Sequence, residues 1–433
     1  LWLYDRLSRR RRTLPPHVFR GRTATARLWP DLPPNVRWSA TYHDAWISHP
    51  ERLGIELLQD ATQAHDGALA VNHLAAIGRD GDSILLADAL TGAEVAVRPQ
   101  VIVNATGAWV DETNLAVADP GMRPRPLVGG TKGSHLILDH PALLQALKGH
   151  MIYFENVDGR VCILFPYLGR VLLGSTDIRV DRAGEVRCEA DEVAYILKSL
   201  SYVFPGIAVA PEQIVYRYSG VRPLVRSDAR FTGRISRDHA VQEIPGSPPV
   251  LCLVGGKWTT FRASAAHLTD DALALLARPR IVTTHGRAIG GGAGYPVTER
   301  ARHQWVAENR RGLSKDAAAT LLERYGTTAR EVIAFVDEDA EDRPLGTLPA
   351  YSTGELRYLA SSEDVVHLAD LLLRRTSIAF RGEATPDVVA EIADAVAGVL
   401  GWDEDAATAE VAAALVAVHA ADPTWQPAAA PVA

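Results

Sequence analysis

Three cysteines in 433 residues, Cys162, Cys188 and Cys252, are too few and too scattered for a disulfide framework or a zinc site. Such sparing use fits a reducing compartment. No apolar run is long enough to cross a bilayer. The start lacks the order of a secretory signal, because its short apolar stretch precedes the Arg9–Arg12 run instead of following it. That run reads as a solvated loop in preference to a contact with an anionic membrane surface. Positive charge is not in excess: 45 Lys and Arg against 52 Asp and Glu give a net charge of -7, which argues against a nucleic-acid binder. Also absent near the start is a G-x-G-x-x-G turn. Gly255-Gly256-Lys257 is not a Walker A loop either, since the earlier glycine of that motif falls on Leu251. The chain opens on Leu1, so residue 1 is not expected to be the natural start.

What is present is an ordinary globular composition, 47% apolar and 22% charged, long enough for two or three domains. A helical pattern over 49–65 turns Leu53, Leu57, Leu58 and Ala61 to one face. Strands are expected at Leu69–Ile77, Ser83–Ala87, Glu94–Arg98 and Val101–Asn104, and again at Ser134–Leu138, Met151–Phe154, Val161–Phe165 and Val171–Gly174. Helices are expected at 190–204 and 259–277. The fold class is therefore α/β (α+β) over residues 1–285. Residues 286–295, with the run Gly290 to Gly294, read as a flexible joint. Residues 296–422 read as an all-helical domain with segments at 314–325, 328–337, 362–375, 385–400 and 404–420. The tail 423–433 reads as disordered.

Two strand-to-helix turns carry the chemistry. Val101–Asn104 runs into Ala105-Thr106-Gly107, where small residues let a ligand approach the backbone; a turn packed for its own sake is the equal alternative. Leu253-Val254 runs into Gly255-Gly256-Lys257-Trp258-Thr259-Thr260, where N–H groups and the Lys257 charge suit an anionic ligand and the threonines suit a helix cap. Arg222 and Arg237 each end a strand and together suit a phosphate dianion, the alternative being surface ion pairs with Asp228 or Asp238. His135 is placed for acid–base work or is a structural histidine. The Gly174-Ser175-Thr176-Asp177 segment contributes hydroxyls to a ligand or is structural in the same way.

Taken in order, VNATGAW (103–109), GTKGSH (130–135), FPYLGRVLLGSTD (165–177), YSGVRPL (218–224), SRDH (236–239) and GGKWTTFR (255–262) resemble the FAD-dependent glycerol-3-phosphate dehydrogenases of the aerobic, quinone-reducing type. The resemblance extends to Leu372-Leu373-Arg374-Arg375-Thr376 in the helical part. It implies an FAD-dependent oxidoreductase fold of the glycine/D-amino-acid oxidase type with a C-terminal helical domain. Ala105, Thr106, Gly107, Gly255, Gly256, Lys257, Thr259 and Thr260 would line FAD, with no metal. Arg222, Arg237 and Lys257 would bind glycerol 3-phosphate, and His135 or Lys257 would be the base. Trp258 stands where the family has Leu. Quinone as acceptor, a cytoplasmic location with loose contact to the inner face of the membrane, and room for a homodimer are further implications. The family's G-x-G-x-x-G unit, which spans ~30 residues, is not in this sequence. The chain is therefore expected to be a fragment, inactive alone. Another amino-acid or hydroxy-acid oxidase and a non-enzymatic remnant are the rival readings.

Overall fold

The computed structural model describes Arg6, residues 14–227 and residues 237–426. Arg9–Arg12, Ile235 and Ser236 lie outside the described residues. β1 (Val18–Gly21) and β2 (Trp38–Thr41) pair antiparallel around α1 (Arg22–Leu28). α2 (Pro50–Ala64) begins on Pro50, at a position where no backbone N–H is needed. β3 (Leu74–Asp80), β4 (Ser83–Asp88) and β5 (Glu94–Val97) form an antiparallel meander. β6 (Ile102–Asn104) passes through a turn at Gly107–Trp109 into α3 (Val110–Val117).

Next come β7 (Thr131–Leu138), α4 (Pro141–Ala146), β8 (Ile152–Glu155), β9 (Val161–Tyr167), β10 (Arg170–Gly174), β11 (Ile178–Arg179), α5 (Ala190–Ser201) and β12 (Ile214–Arg222). They build a six-stranded sheet in the order β11-β7-β10-β9-β8, with β12 also paired to β7. One face of β7 and β10 buries Leu136, Leu138, Val171 and Leu173 against Leu143 and Leu147, and against Ile196 and Leu200 of α5. Each fully buried leucine stabilises the fold by roughly 1.5–3 kcal/mol. The start of α5 is fixed by Glu192, whose carboxylate accepts the N–H of Glu189 at 3.0 Å.

β13 (Ala240–Ile244) and β14 (Val250–Val254) return to β6, giving the order β13-β14-β6 with β14 and β6 parallel. α6 (Phe261–Leu275) follows. The C-terminal part is helical: α7 (Glu299–Asn309), α8 (Lys315–Tyr325), α9 (Ala329–Glu338), α10 (Thr353–Ser362), α11 (Pro386–Leu400) and α12 (Glu404–Val418). Ser314, Ser352, Thr385 and Asp403 accept backbone N–H groups at the starts of α8, α10, α11 and α12. Ile333, Leu356, Leu359, Leu368 and Ile392 centre its core.

Several expectations change. The strand expected at Leu69–Ile77 begins only at Leu74, and Leu69 and Val71 are exposed. α2 buries Arg52 and Glu56, while Leu58 is exposed, so the leucine face is not the inward one. The helix expected over 362–375 is a short turn at Leu368–Asp370 followed by a π-turn at Leu371–Arg375, and α10 precedes it. The glycine run is no loose joint. Gly290 and Gly291 donate their N–H groups to Asp60 and Glu56 of α2, and a Cβ on Gly291 would lie 1.9 Å from the carbonyl oxygen of Tyr325. Of the tail, Trp425 stacks on His419, next to the Asp422–Arg217 pair at 2.8 Å, and residues 427–433 lie outside the described residues.

Candidate active site

β7 and β12 run antiparallel with His135 opposite Tyr218, Gly133 opposite Gly220 and Thr131 opposite Arg222. Strand alternation puts all six on one face. The guanidinium of Arg222 lies over Gly133: a Cβ at that position would sit 2.1 Å from Nη2. Nη2 of Arg222 donates to the Ser175 hydroxyl at 2.9 Å, and Nη1 donates to the Thr176 carbonyl at 3.2 Å and faces the Asp177 carboxylate at 3.4 Å. The carboxylate beside Arg222 is thus that of Asp177, while Asp228 lies outside the described residues. Burial lowers the pKa of Arg222; Asp177 opposes that, and the positive charge of Arg237 adds to it. The two arginines expected to share an anion therefore stand in each other's field.

His135 stacks on Tyr218 with ring centres 4.8 Å apart and planes 7° apart. Gly174 makes room for it, because a Cβ there would lie 2.4 Å from its Cδ2. Burial, then the charge of Arg222, pulls the imidazole down to about 3. It is neutral at neutral pH, and its buried Nδ1 has no hydrogen-bond partner among the described residues.

The diglycine turn joins this face directly. The N–H of Gly255 donates to the carbonyl of Pro223, next to Arg222, at 3.0 Å. Gly255 and Gly256 have φ of +73° and +90°, a region that side chains avoid. The backbone of Asp238 packs so closely on Gly255 that a Cβ would meet its carbonyl at 2.6 Å, which brings neighbouring Arg237 to the turn. Since β14 lies parallel to β6, Ala105-Thr106-Gly107 and Gly255-Gly256 leave the carboxyl ends of adjacent parallel strands, where α/β sheets place their ligands. Thr106 is held by Asn104, whose carboxamide oxygen accepts both its N–H and its hydroxyl.

Lys257 and Thr259 are exposed, and the Lys257 ammonium has no partner among the described residues. Thr260 does not cap α6. Its hydroxyl donates to the Lys257 carbonyl at 3.0 Å.

A buried network behind the arginine escaped the motif reading. Glu192 accepts from the Ser134 hydroxyl at 2.8 Å and the Thr176 hydroxyl at 2.7 Å, and pairs with Lys132 at 2.6 Å. Burial pushes Glu192 up, but Lys132 and Thr176 outweigh it and the net shift is downward. The signal was present in the alternation of Lys132 and Ser134 with Gly133 and His135, yet nothing local points to a partner on α5.

Two family models match the chain in sequence. One, described as FAD dependent oxidoreductase, covers residues 3–270; the other, the C-terminal domain of alpha-glycerophosphate oxidase, covers residues 282–407. The fold and its paired turns define an oxidoreductase of the FAD-dependent class. The glycerol-3-phosphate dehydrogenase of Mycobacterium leprae is 30% identical over 428 residues, 95% of this chain and 69% of that protein. The glycerol-3-phosphate dehydrogenase of Synechocystis sp. is 28% identical over 391 residues, 86% of this chain and 69% of that protein. The chain belongs to the FAD-dependent glycerol-3-phosphate dehydrogenase family. In fold it matches the glycerol-3-phosphate dehydrogenase of Bacillus halodurans complexed with FAD, with a TM-score of 0.77, 21% identity, and coverage of 94% of this chain and 80% of that one.

The two turns fit a flat cofactor. Gly107 has φ of +63° with no atom within 4 Å of where its Cβ would be, and Val103 and Trp109 beside it are about half exposed, at 49% and 50%. At Gly107, Gly255 and Gly256 the turns present backbone rather than side chains, as a flat cofactor lying across them would need.

Proposed function

We propose that the protein oxidises sn-glycerol 3-phosphate to dihydroxyacetone phosphate and passes the electrons on to a quinone. The observation that carries this is the seating of Arg222 over Gly133, in the field of Arg237 and beside the diglycine turn and His135. FAD, when bound, supplies the acceptor for the hydride from C2. Arg222 and Arg237 hold the phosphate, and Ser175, Thr176 and Asp177 hold Arg222. His135 takes the C2 hydroxyl proton, with Lys257 as the other candidate base. A phosphate dianion beside Arg222 offsets the positive charge that depresses the imidazole, so substrate binding raises its basicity.

Residues 1–433 span just over two thirds of the length of the Mycobacterium leprae and Synechocystis relatives. Whether this span suffices for FAD binding is answered by flavin absorbance of the purified chain. The reading is tested with FAD-loaded protein and an artificial electron acceptor. Glycerol 3-phosphate is expected to be turned over and sarcosine not. Turnover of an amino acid or hydroxy acid without glycerol 3-phosphate activity would overturn it.

A further inference from the structure

The Arg374-Arg375-Thr376 segment takes no part in the site above. It borders a small cavity between the start of α2 and the helical part, lined by His49, Arg52, Arg324, Arg375, Thr376 and Ser377 among others. Its inner space holds one water-sized particle. Three guanidinium groups therefore meet at one small hole, and their side chains are only 9%, 15% and 7% exposed.

Two carboxylates hydrogen-bond to these cations, and the charge of Asp370, itself bonded to Arg374, also acts on Arg375. Arg52 takes both oxygens of Glu363, and Arg324 takes both oxygens of Glu355 at 2.8 and 2.7 Å. Arg375 is left with the neutral backbone carbonyl of Glu363, at 2.9 and 2.6 Å, and stands 3.7 Å from a carboxylate oxygen already bound to Arg52. Its Nη1 has no hydrogen-bond partner among the described residues. Glu56 does not fill the gap: it accepts the N–H of Gly291 at 3.3 Å, and burial raises its pKa to about 7. The field is felt by His49, which burial, then Arg324 and Arg52, pull down to about 4. A buried charge with no carboxylate hydrogen-bonded to it among the described residues is costly, and the three guanidinium groups line the cavity with N–H donors.

We propose that this cavity binds a single chloride ion, which neutralises the third guanidinium and ties α2 to the helical part. A monatomic anion fits the space for one particle, whereas a phosphate or sulfate has five heavy atoms. The proposal is independent of the activity assigned above.

Crystals of the full chain soaked in sodium bromide should show an anomalous peak within the cavity, beside Arg324 and Arg375. In solution the melting temperature should rise saturably by roughly 2 °C or more in sodium chloride over sodium gluconate at equal ionic strength. Arg375→Met should abolish that difference. If this variant does not fold, Ser377→Ala should weaken the response, and the bromide peak in the unaltered protein decides regardless. Water-strength density without an anomalous peak, or equal melting in both salts, would overturn the proposal. Density for a tetrahedral anion would overturn the assignment to chloride.

Discussion

The guanidinium of Arg222 fills the space that a side chain on Gly133 would need, with a Cβ–Nη2 separation of 2.1 Å. The arginine's position is thus built into the strand opposite it. Gly133→Ala should displace Arg222 from Ser175 and Thr176 while leaving the sheet paired. Losing charge-assisted contacts worth roughly 1.5–3 kcal/mol should raise KM for glycerol 3-phosphate by roughly 10–100-fold, with a smaller change in kcat. Steady-state kinetics with circular dichroism as a folding control checks this; an unchanged KM would remove Arg222 from the phosphate site.

Glu192→Gln should be strongly destabilising, because it leaves the Lys132 ammonium without its carboxylate, 2.6 Å away. Breaking one partner of a buried pair costs about 3–5 kcal/mol. The double variant Lys132→Met/Glu192→Gln should recover part of the loss. Denaturant midpoints measure both, and a neutral single variant would contradict the network.

Phe380 reaches from the helical part to the six-stranded sheet, 5.3 Å from the ring of Tyr218, which itself stacks on His135. Phe380→Ala should admit water behind Tyr218 and relieve the burial that holds the imidazole near pKa 3. The acid limb of the kcat/KM profile should then move to higher pH. A drop in activity with an unmoved profile would assign Phe380 a packing role alone.

Burial raises Glu56 to about 7, above its ordinary 4.5, against the opposing charge of Arg52. The folded state therefore binds its proton more tightly than the unfolded chain. Its contribution is fully present below about 4.5 and is lost as pH rises through about 7. His49, lowered from 6.5 to about 4, works in the opposite direction, losing stability as pH falls through that range. Glu56→Gln isolates the first slope. From pH 5 to pH 8 the unaltered protein should lose stability relative to the variant, as read by the difference in denaturant midpoints.

Local patterning was legible wherever one face of an element is apolar. The periodicity of Val193, Ile196 and Leu200 located α5, and the segments at 385–400 and 404–420 correspond to α11 and α12. It failed where polar groups face inward. α2 buries Arg52 and Glu56 because their partners, Glu363 and Gly291, lie more than 200 residues away in sequence. α10 buries Thr353, Gly354 and Glu355 and so has no apolar start to betray it. At the site, the motifs named Arg222, His135 and Gly255. Only the β7–β12 register and the bond from Gly255 to Pro223 show that they meet. The pairing of Arg222 with Asp177 depends on the loop after β10, which no periodicity encodes.

The seating of Gly290 and Gly291 between α2 and Tyr325 bears on how the polypeptide can be divided. A protease that nicks the chain within 286–295 should not release a separate helical fragment. Arg52 to Glu363, Arg217 to Asp422 and Phe380 to Tyr218 would keep the two pieces together through a sizing column, so any attempt to express either half alone removes contacts on which the other half is built.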